Sequence, residues 1–223
     1  MMESLEERRK RVRKIISRLK KRYPDARCLL DHSSPLELLV ATVLAAQCTD
    51  ERVNQTTPAV FERFRTAEDY ARAPLPTLER LFKSCGTFRQ KARAVKAACQ
   101  ALVERHGGQV PRDLEALASL PGVGRKTANV VMANAFGVQG IIVDTHVLRL
   151  SGRLGLASAH NVEKKYADKV EAELAEVVPK KDWTLFSHLL SFHGRAICKA
   201  RKPACGECPI AALCPYPDKT PSA

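Results

Sequence analysis

Long hydrophobic runs are absent from this 223-residue sequence. Nowhere do about 18 apolar residues follow one another, as a membrane-spanning helix would require. The first residues, MMESLEERRKRVRKII, carry charges where a secretion signal needs an apolar stretch. We therefore expect a soluble protein of the cytoplasm.

Acidic residues are too few to balance the basic ones. The chain has 24 Asp and Glu against 37 Lys and Arg, which gives a formal net charge of +13. This charge argues against a neutral housekeeping surface and favours a polyanionic partner, nucleic acid ahead of membrane. The length is enough to bury a proper core and fits one large domain or two small ones.

Alternating β patterns with hairpin turns are also lacking, and the one short β-like run is GIIVD at residues 140–144. Apolar residues recur instead at helical spacing along most of the chain, so we predict an all-α fold. The first helix is predicted to bury one apolar stripe, made of Leu5, Val12, Ile15, Ile16 and Leu19.

The segment SSPLELLVATVLAAQ has the signature of a buried central helix. Ser34 is the expected N-cap and Pro35 occupies the first helical position. Glu37 follows three residues after Ser34, a spacing that predicts a capping box. About ten apolar residues come next, and these indicate burial on every face.

Two glycines and a proline interrupt the helical pattern in LPGVGRKTANVVM, residues 120–132. A helix that ends at Leu120, a tight turn and a second helix from about Arg125 together form a helix-hairpin-helix. The turn can offer the backbone N–H groups of residues 122–124 to an anion at the positive helix end. With a nucleic-acid partner, that anion is a phosphate, and such contacts position the protein without reading the sequence.

Lys126 and Asp144 are the candidate catalytic residues. Lys126 lies on a different face from the apolar face of the second hairpin helix. We expect the adjacent Arg125, the positive helix end and partial burial to favour its neutral, nucleophilic amine. Asp144 ends the apolar run GIIVD and precedes a short helix, where it can serve as the N-cap. Capping and catalysis are compatible, and the two side chains could meet across a cleft.

A weaker copy of the hairpin unit precedes it. Residues 78–95 match residues 114–131 at an offset of 36, and each copy predicts a helix, a glycine turn and a second helix. Gly86 is the glycine of the first copy. Thr87 follows Gly86, and the first copy lacks the second glycine of the later turn. The first turn should therefore approach a DNA backbone less closely.

Cysteine provides the most specific pattern. Four cysteines stand as C-x6-C-x2-C-x5-C at Cys198, Cys205, Cys208 and Cys214. In an intracellular chain this spacing indicates metal binding. Zinc and an iron–sulfur cluster both suit four thiolates, and a single C-x2-C pair favours the cluster. The remaining cysteines are interpreted as small buried hydrophobes; they are Cys28, Cys48, Cys85 and Cys99.

LPGVGRKTANVV, VDTH and the cysteine-rich tail together resemble the bacterial endonuclease III family of DNA glycosylases and AP lyases. The resemblance covers nearly the whole chain, from SSPLELLVATVLAAQCTD to the last cysteine. It implies an all-α fold of two domains with DNA bound across the cleft. Residues 28–138 would form a six-helix barrel with the hairpin at about 114–135, and residues 1–27 with 139–223 would form a [4Fe–4S] cluster domain with its cluster loop at 198–214.

The resemblance also implies roles for individual residues. Lys126 would be the nucleophile, Asp144 the catalytic carboxylate and the four tail cysteines the cluster ligands. Gln47 would fill the gap left by a nucleotide turned out of the helix, while Thr87 replaces the bulky aliphatic residue usual in the family. The implied DNA-binding residues are Gln47, Thr87, Gly122, Val123, Gly124, Arg125 and Thr127.

The implied function is base excision repair of oxidised pyrimidines by a monomeric enzyme on duplex DNA at the bacterial nucleoid. Strand cleavage would follow by β-elimination from a lysine Schiff base. One alternative is a monofunctional mismatch glycosylase, although such proteins lack the lysine and carry a further C-terminal domain. Here Lys126 is present and nine residues follow Cys214. The other alternative is a non-enzymatic DNA-binding module with a structural zinc.

Overall fold

The computed structural model describes residues 3–220. Every regular element in that range is helical, and the described residues contain no β-strand, which confirms the all-α prediction. None of these helices is long and apolar enough to cross a membrane. The chain divides into two compact units: Cys28–Val138, and Met1–Arg27 with Gln139–Ala223 as far as these are described.

The central unit contains seven α-helices. They are α2 (Pro35–Leu44), α3 (Asp50–Arg63), α4 (Ala67–Arg72), α5 (Leu75–Leu81), α6 (Phe88–His106), α7 (Leu114–Ala118) and α8 (Arg125–Ala135), with a 3₁₀ helix at Lys83–Cys85 before α6. Helix α2 packs against α3, α6 and α8. Six of its ten residues are buried, as its apolar sequence predicts.

One detail of the α2 start differs from the prediction. The Ser34 side chain accepts a hydrogen bond from the Glu37 amide, and Pro35 is the first helical residue. The Glu37 carboxylate, however, accepts from the amide and hydroxyl of Ser33, at 2.6 and 2.8 Å. The predicted capping box is therefore wrong, because the preceding serine offers two donors to the same oxygen.

The second unit contains α1 and the last four α-helices. Their bounds are α1 (Leu5–Arg22), α9 (Thr145–Arg153), α10 (Ala159–Glu163), α11 (Ala167–Val177) and α12 (Trp183–Ala196). One 3₁₀ helix, Lys180–Asp182, lies between α11 and α12, and two more, Cys205–Glu207 and Ala211–Leu213, lie in the cysteine-rich segment. Four residues of the α1 stripe are buried as expected. Leu5 is 46% exposed, so its placement in that stripe was wrong.

Residues 140–144 pack into the core of this unit without forming a strand. Ile141 is 1% exposed. Side-chain hydroxyls of α12 satisfy the backbone here, because the Gly140 amide donates to Thr184 at 3.3 Å and the Ile142 amide donates to Ser187 at 2.9 Å. The apolar run thus reaches Asp144 without a sheet, and α12 supplies partners for two of its amides.

Candidate functional site

The glycine turn between α7 and α8 has the helix-hairpin-helix form. Gly122 adopts a positive φ of 76°, and Gly124 precedes α8 in extended backbone. A methyl group at Gly122 would lie 2.6 Å from Cβ of Ala94, whereas a methyl group at Gly124 would meet nothing within 4 Å. Gly122 is therefore required by the fold, while Gly124 leaves the amino end of α8 open to approach.

Val123 faces inward. Its side chain is 4% exposed, and its amide donates to the Leu120 carbonyl at 3.0 Å. Of the residues predicted to contact DNA, Val123 is thus the one whose side chain and amide are both committed within the protein. The sequence pattern alone could not separate its amide from those of its glycine neighbours.

The amino end of α8 carries two exposed cations. The N-cap residue Gly124 has no side chain to cap this end, so the first amides of α8 are not bonded by an N-cap side chain and lie at the positive end of the helix dipole. Arg125 is exposed and forms an ion pair with Glu115 at 3.4 Å. Lys126 is also exposed, which makes the expected partial burial wrong. Thr127, at the next position, is half-buried.

Asp144 is the N-cap of α9 and is half-buried. Its Oδ1 accepts hydrogen bonds from the amides of His146 and Val147, at 2.8 and 2.7 Å. Its Oδ2 accepts a hydrogen bond from the Ser191 hydroxyl at 2.7 Å. Both carboxylate oxygens are therefore held by donors of the same unit.

Ser191 was not found by sequence reasoning. It lies in α12, 47 residues after Asp144 along the chain. Two histidines also interact electrostatically with the carboxylate. Burial lowers the pKa of His146 and of His188, against the opposing effect of the Asp144 charge. Burial therefore favours the neutral form of both imidazoles, while the hydrogen bonds to Asp144 come from a serine hydroxyl and two backbone amides.

Gln47 and Thr87 are exposed residues of the central unit, and both have left-handed backbones. Gln47 has a φ of 53° and follows the end of α2. Thr87 has a φ of 32° and precedes α6. Positive φ is uncommon outside glycine and is an outlier for a β-branched residue. Gln47 and Thr87, which are both predicted to contact DNA, thus share an unusual conformation.

The four tail cysteines line one cavity in the second unit, together with apolar residues that include Ile197 and Ile210. They surround this space and do not converge on one point: in residues 3–220 no three histidine, cysteine or acidic side chains are placed to hold a single metal ion. Burial raises the pKa of the Cys208 thiol to about 11 and also raises that of Cys214. Burial alone therefore favours the protonated thiols at these two positions.

Donors from α9 and α12 reach the cavity. Arg153 donates to Sγ of Cys198 at 3.2 Å. Nε2 of His193 lies 3.3 Å from Sγ of Cys208, and its Nδ1 is hydrogen bonded to the Tyr23 hydroxyl at 3.0 Å. Burial lowers the pKa of His193 to about 4. A four-thiol cavity with an arginine N–H donor at one sulfur and an imidazole nitrogen beside another fits an iron–sulfur cluster.

The hairpin and the cysteine cavity together define a helix-hairpin-helix repair protein with an iron–sulfur centre. A family model described as the HhH-GPD superfamily of base excision DNA repair proteins matches residues 40–180. A second model, the iron–sulfur binding domain of endonuclease III, matches residues 198–214. The chain belongs to the HhH-GPD superfamily and, within it, to the endonuclease III family.

The similarity extends along the chain. Endonuclease III of Synechocystis sp. is 48% identical over 216 residues, which cover 96% of each protein. Endonuclease III of Escherichia coli K12 is 42% identical over 205 residues, covering 92% of this chain and 95% of that one. A solved non-covalent endonuclease III–DNA complex matches with a TM-score of 0.87 and 45% identity, over 93% of this chain and 95% of that one.

A trapped covalent intermediate of endonuclease III with DNA matches equally well, with a TM-score of 0.87 and 45% identity over 93% of this chain and 96% of that one. These similarities make the chain a bifunctional DNA glycosylase and AP lyase. Its cofactor is a [4Fe–4S] cluster. The family therefore confirms the class of function predicted from the sequence.

Proposed function

We propose that this enzyme removes oxidised pyrimidines from duplex DNA with Lys126 as its nucleophile. The observation that carries the proposal is an exposed primary amine in the first turn of α8, beside an uncapped helix end. A phosphate bound by the amides at this end would bring a deoxyribose to the amine. A covalent intermediate with DNA is known for a similar endonuclease III.

The proposed reaction passes through a Schiff base between Lys126 and the deoxyribose. The neutral amine of Lys126 attacks C1′ of the damaged nucleotide, and the bond to the base breaks, with the base leaving as an anion that takes up a proton. The ring then opens to a Schiff base. Loss of a proton from C2′ expels the 3′ phosphate by β-elimination, and water hydrolyses the Schiff base to free the lysine. Nucleotide extrusion that precedes these steps is easiest at a damaged base.

Asp144 supplies the carboxylate for this reaction. Its charge would stabilise the positive charge that develops on the deoxyribose as the base leaves, and it can move protons during ring opening. The hydrogen bonds from Ser191 and from the amides of His146 and Val147 fix its orientation. The same orientation of the Asp144 carboxylate thus allows it to cap α9 and to act in the reaction.

The DNA contacts would be made by polar groups of the central unit. Gln47 would occupy the space left by the extruded nucleotide and Thr87 would contact DNA at the first glycine turn. The amides at Gly122 and Gly124 would bind phosphate, with Arg125 and Thr127 beside them. The Val123 amide is excluded from this role, because it is bonded to Leu120.

The cluster ligands are proposed to be Cys198, Cys205, Cys208 and Cys214, whose side chains share one cavity. When bound, a [4Fe–4S] cluster cross-links the four thiolates and so fixes the fold of residues 198–214. This segment presents Lys199, Arg201 and Lys202 on its exposed side. Their charges would add to phosphate binding.

The enzyme's partner, oligomeric state and location complete the proposal. The partner is duplex DNA that holds a damaged base or an abasic site, and the net charge of +13 suits such a polyanion. We expect the enzyme to act as a monomer, since one chain carries every residue named above. Its place would be the bacterial cytoplasm, at the nucleoid.

Borohydride trapping tests the nucleophile. Reduction during turnover should leave a covalent adduct on a duplex that holds thymine glycol, and on one that holds an abasic site. Lys126→Gln should bind both duplexes and give no adduct. Arg125→Gln is the matched control, since it removes the adjacent cation at the same helix end and keeps the amine. Strand cleavage at the normal rate by Lys126→Gln would overturn the assignment.

A further inference from the structure

Lys91 is a buried lysine that the proposed reaction does not use. It lies in α6 and is 4% exposed. Its Nζ donates to the carbonyl of Leu44 at 2.8 Å and also to the carbonyl of Cys85. A lysine is almost never fully buried without partners, so these two carbonyls are what keep the charge inside.

Both acceptors lie at the carboxyl ends of helices. Leu44 is the last residue of α2, and Cys85 is the last residue of the 3₁₀ helix before α6. Carbonyls at such ends lack partners within the helix and carry the negative end of the helix dipole. Burial lowers the pKa of Lys91, while the nearby Cys48 and Cys85 oppose that shift. One ammonium thus satisfies two helix ends that are 41 residues apart in sequence, from 44 to 85.

A residue with strained backbone follows each acceptor, three residues after Leu44 and two residues after Cys85. We name residues 45–49 and residues 86–87 the two probing loops. The first contains Gln47 with a φ of 53°, and the second contains Thr87 with a φ of 32°. Such conformations are energetically unfavourable in non-glycine residues and persist only where the surrounding structure holds them. Lys91 is hydrogen bonded to the residue that immediately precedes each loop.

We propose that Lys91 is a positioning residue that fixes the two probing loops relative to each other, so that Gln47 and Thr87 are presented to DNA as one preformed unit. The roles of Gln47 and Thr87 rest on the proposed function. Lys91 itself is buried beneath the loops and touches no DNA. Its two hydrogen bonds are charge-assisted and therefore stronger than neutral ones.

Lys96 provides a matched control on the same helix. It is a partly buried lysine whose Nζ also donates to two backbone carbonyls, those of Ala71 and Ala73, each at 2.7 Å. These carbonyls lie at the end of α4, away in sequence from both probing loops. Lys91→Met and Lys96→Met therefore remove the same kind of tie from different segments.

Hydrogen–deuterium exchange of the cluster-loaded protein without DNA tests the tie directly. Lys91→Met should raise exchange in both probing loops about tenfold or more, because two buried carbonyls lose a charged donor. Lys96→Met should leave the probing loops unchanged and raise exchange near residues 71–73. Unchanged exchange in the probing loops of Lys91→Met would overturn the proposal. Should Lys91→Met fail to fold, Lys91→Gln, which keeps an amide donor but is shorter, carries the same comparison.

A binding experiment then tests the consequence for DNA. The wild type is measured on a duplex with a tetrahydrofuran abasic-site analogue and on the undamaged duplex, with 2-aminopurine opposite the analogue to report local unstacking. Lys91→Met should lose about tenfold of its preference for the analogue, as well as the 2-aminopurine signal, while binding the undamaged duplex normally. Lys91→Arg should recover most of the preference, and Lys96→Met should keep it.

These outcomes separate the inference from the proposed function. A wild-type protein with no preference for the analogue would contradict the proposed roles of Gln47 and Thr87, whatever the exchange data show. A normal wild-type preference that Lys91→Met retains, or that Lys91→Met and Lys96→Met lose in equal measure, would overturn the positioning role of Lys91.

Discussion

The Ser191 hydroxyl donates a hydrogen bond to Oδ2 of Asp144 at 2.7 Å, from a helix 47 residues further along the chain. The other carboxylate oxygen caps α9. Because the cap uses only Oδ1, the Ser191 bond constrains rotation of the carboxylate without being needed for the cap. It is therefore a contact whose removal should affect the reaction more than the fold.

Ser191→Ala should slow base excision by about tenfold, since one hydrogen bond of ordinary strength is lost from the carboxylate. Binding of damaged duplex should stay within about twofold of the wild type, because Ser191 contacts Asp144 and is not proposed to contact DNA. Single-turnover kinetics measure the rate apart from binding. Ser191→Thr keeps the hydroxyl and should restore most of the rate. A Ser191→Ala variant as fast as the wild type would show that the hydrogen bond to Asp144 does not contribute to the reaction.

Asp144→Asn should separate catalysis from capping. The amide oxygen can still accept from the amides of His146 and Val147, so the free energy of unfolding should change by less than about 1 kcal/mol. The rate of base release should fall by about 100-fold or more, because the negative charge is gone. Asp144→Ala, which loses the cap as well, should cost about 1 kcal/mol or more on urea unfolding. An Asn variant with the wild-type rate would leave Asp144 as a cap alone.

Local patterns in the sequence predicted the fold class and several local features of the candidate site. The glycine turn, the N-cap at Asp144 and the cysteine spacing each involve residues close together in the chain, so their physical meaning is visible without the fold. The capping box at Glu37 failed because Ser33, one residue outside the motif, competes for the same oxygen. Lys126 proved exposed because it lies in the first turn of α8, at the surface.

Contacts between segments that are distant in the chain could not be predicted from the sequence. Nothing in the sequence around Ser191 connects it to Asp144, because the bond depends on how α12 packs beside α9. Lys91 did leave a signal: it continues the buried face of α6 formed by Val95, Ala98 and Leu102, at helical spacing. A lysine in an apolar stripe predicts a buried cation, although its two carbonyl partners are visible only in the structure.

The cysteine cavity predicts a defined metal content. The purified protein should be yellow-brown, with absorbance near 400 nm and about four irons per chain. Cys208→Ser should lose iron and loosen residues 198–214, while Cys99→Ser, at a buried cysteine of the other unit, should keep full iron content. Iron analysis and limited proteolysis provide the measurements. One zinc per chain without iron would contradict the cluster.

Salt dependence should reveal how much of the charge serves DNA binding. The hairpin, the basic residues of the cluster loop and the basic α1 helix offer enough cations to neutralise about five phosphates, which predicts a slope near −4.5 for log K against log salt. The slope should be nearly the same for unrelated undamaged sequences, since phosphate contacts carry no sequence information. Fluorescence anisotropy between about 50 and 200 mM salt gives the value. A slope flatter than about −2 would mean that most of the charge faces something other than DNA.

The two hairpin glycines should respond differently to the same added methyl group. Gly122→Ala places Cβ 2.6 Å from Ala94 in a backbone with a φ of 76°, so it should destabilise the fold by about 1–3 kcal/mol. Gly124→Ala meets nothing within 4 Å, and its backbone is extended, so stability should change little. Its methyl group instead obstructs approach to the amino end of α8, and it should weaken binding to damaged and undamaged duplexes alike, by about three- to tenfold. Thermal unfolding and anisotropy on both variants give the comparison; unchanged DNA affinity in Gly124→Ala would remove the hairpin from the interface.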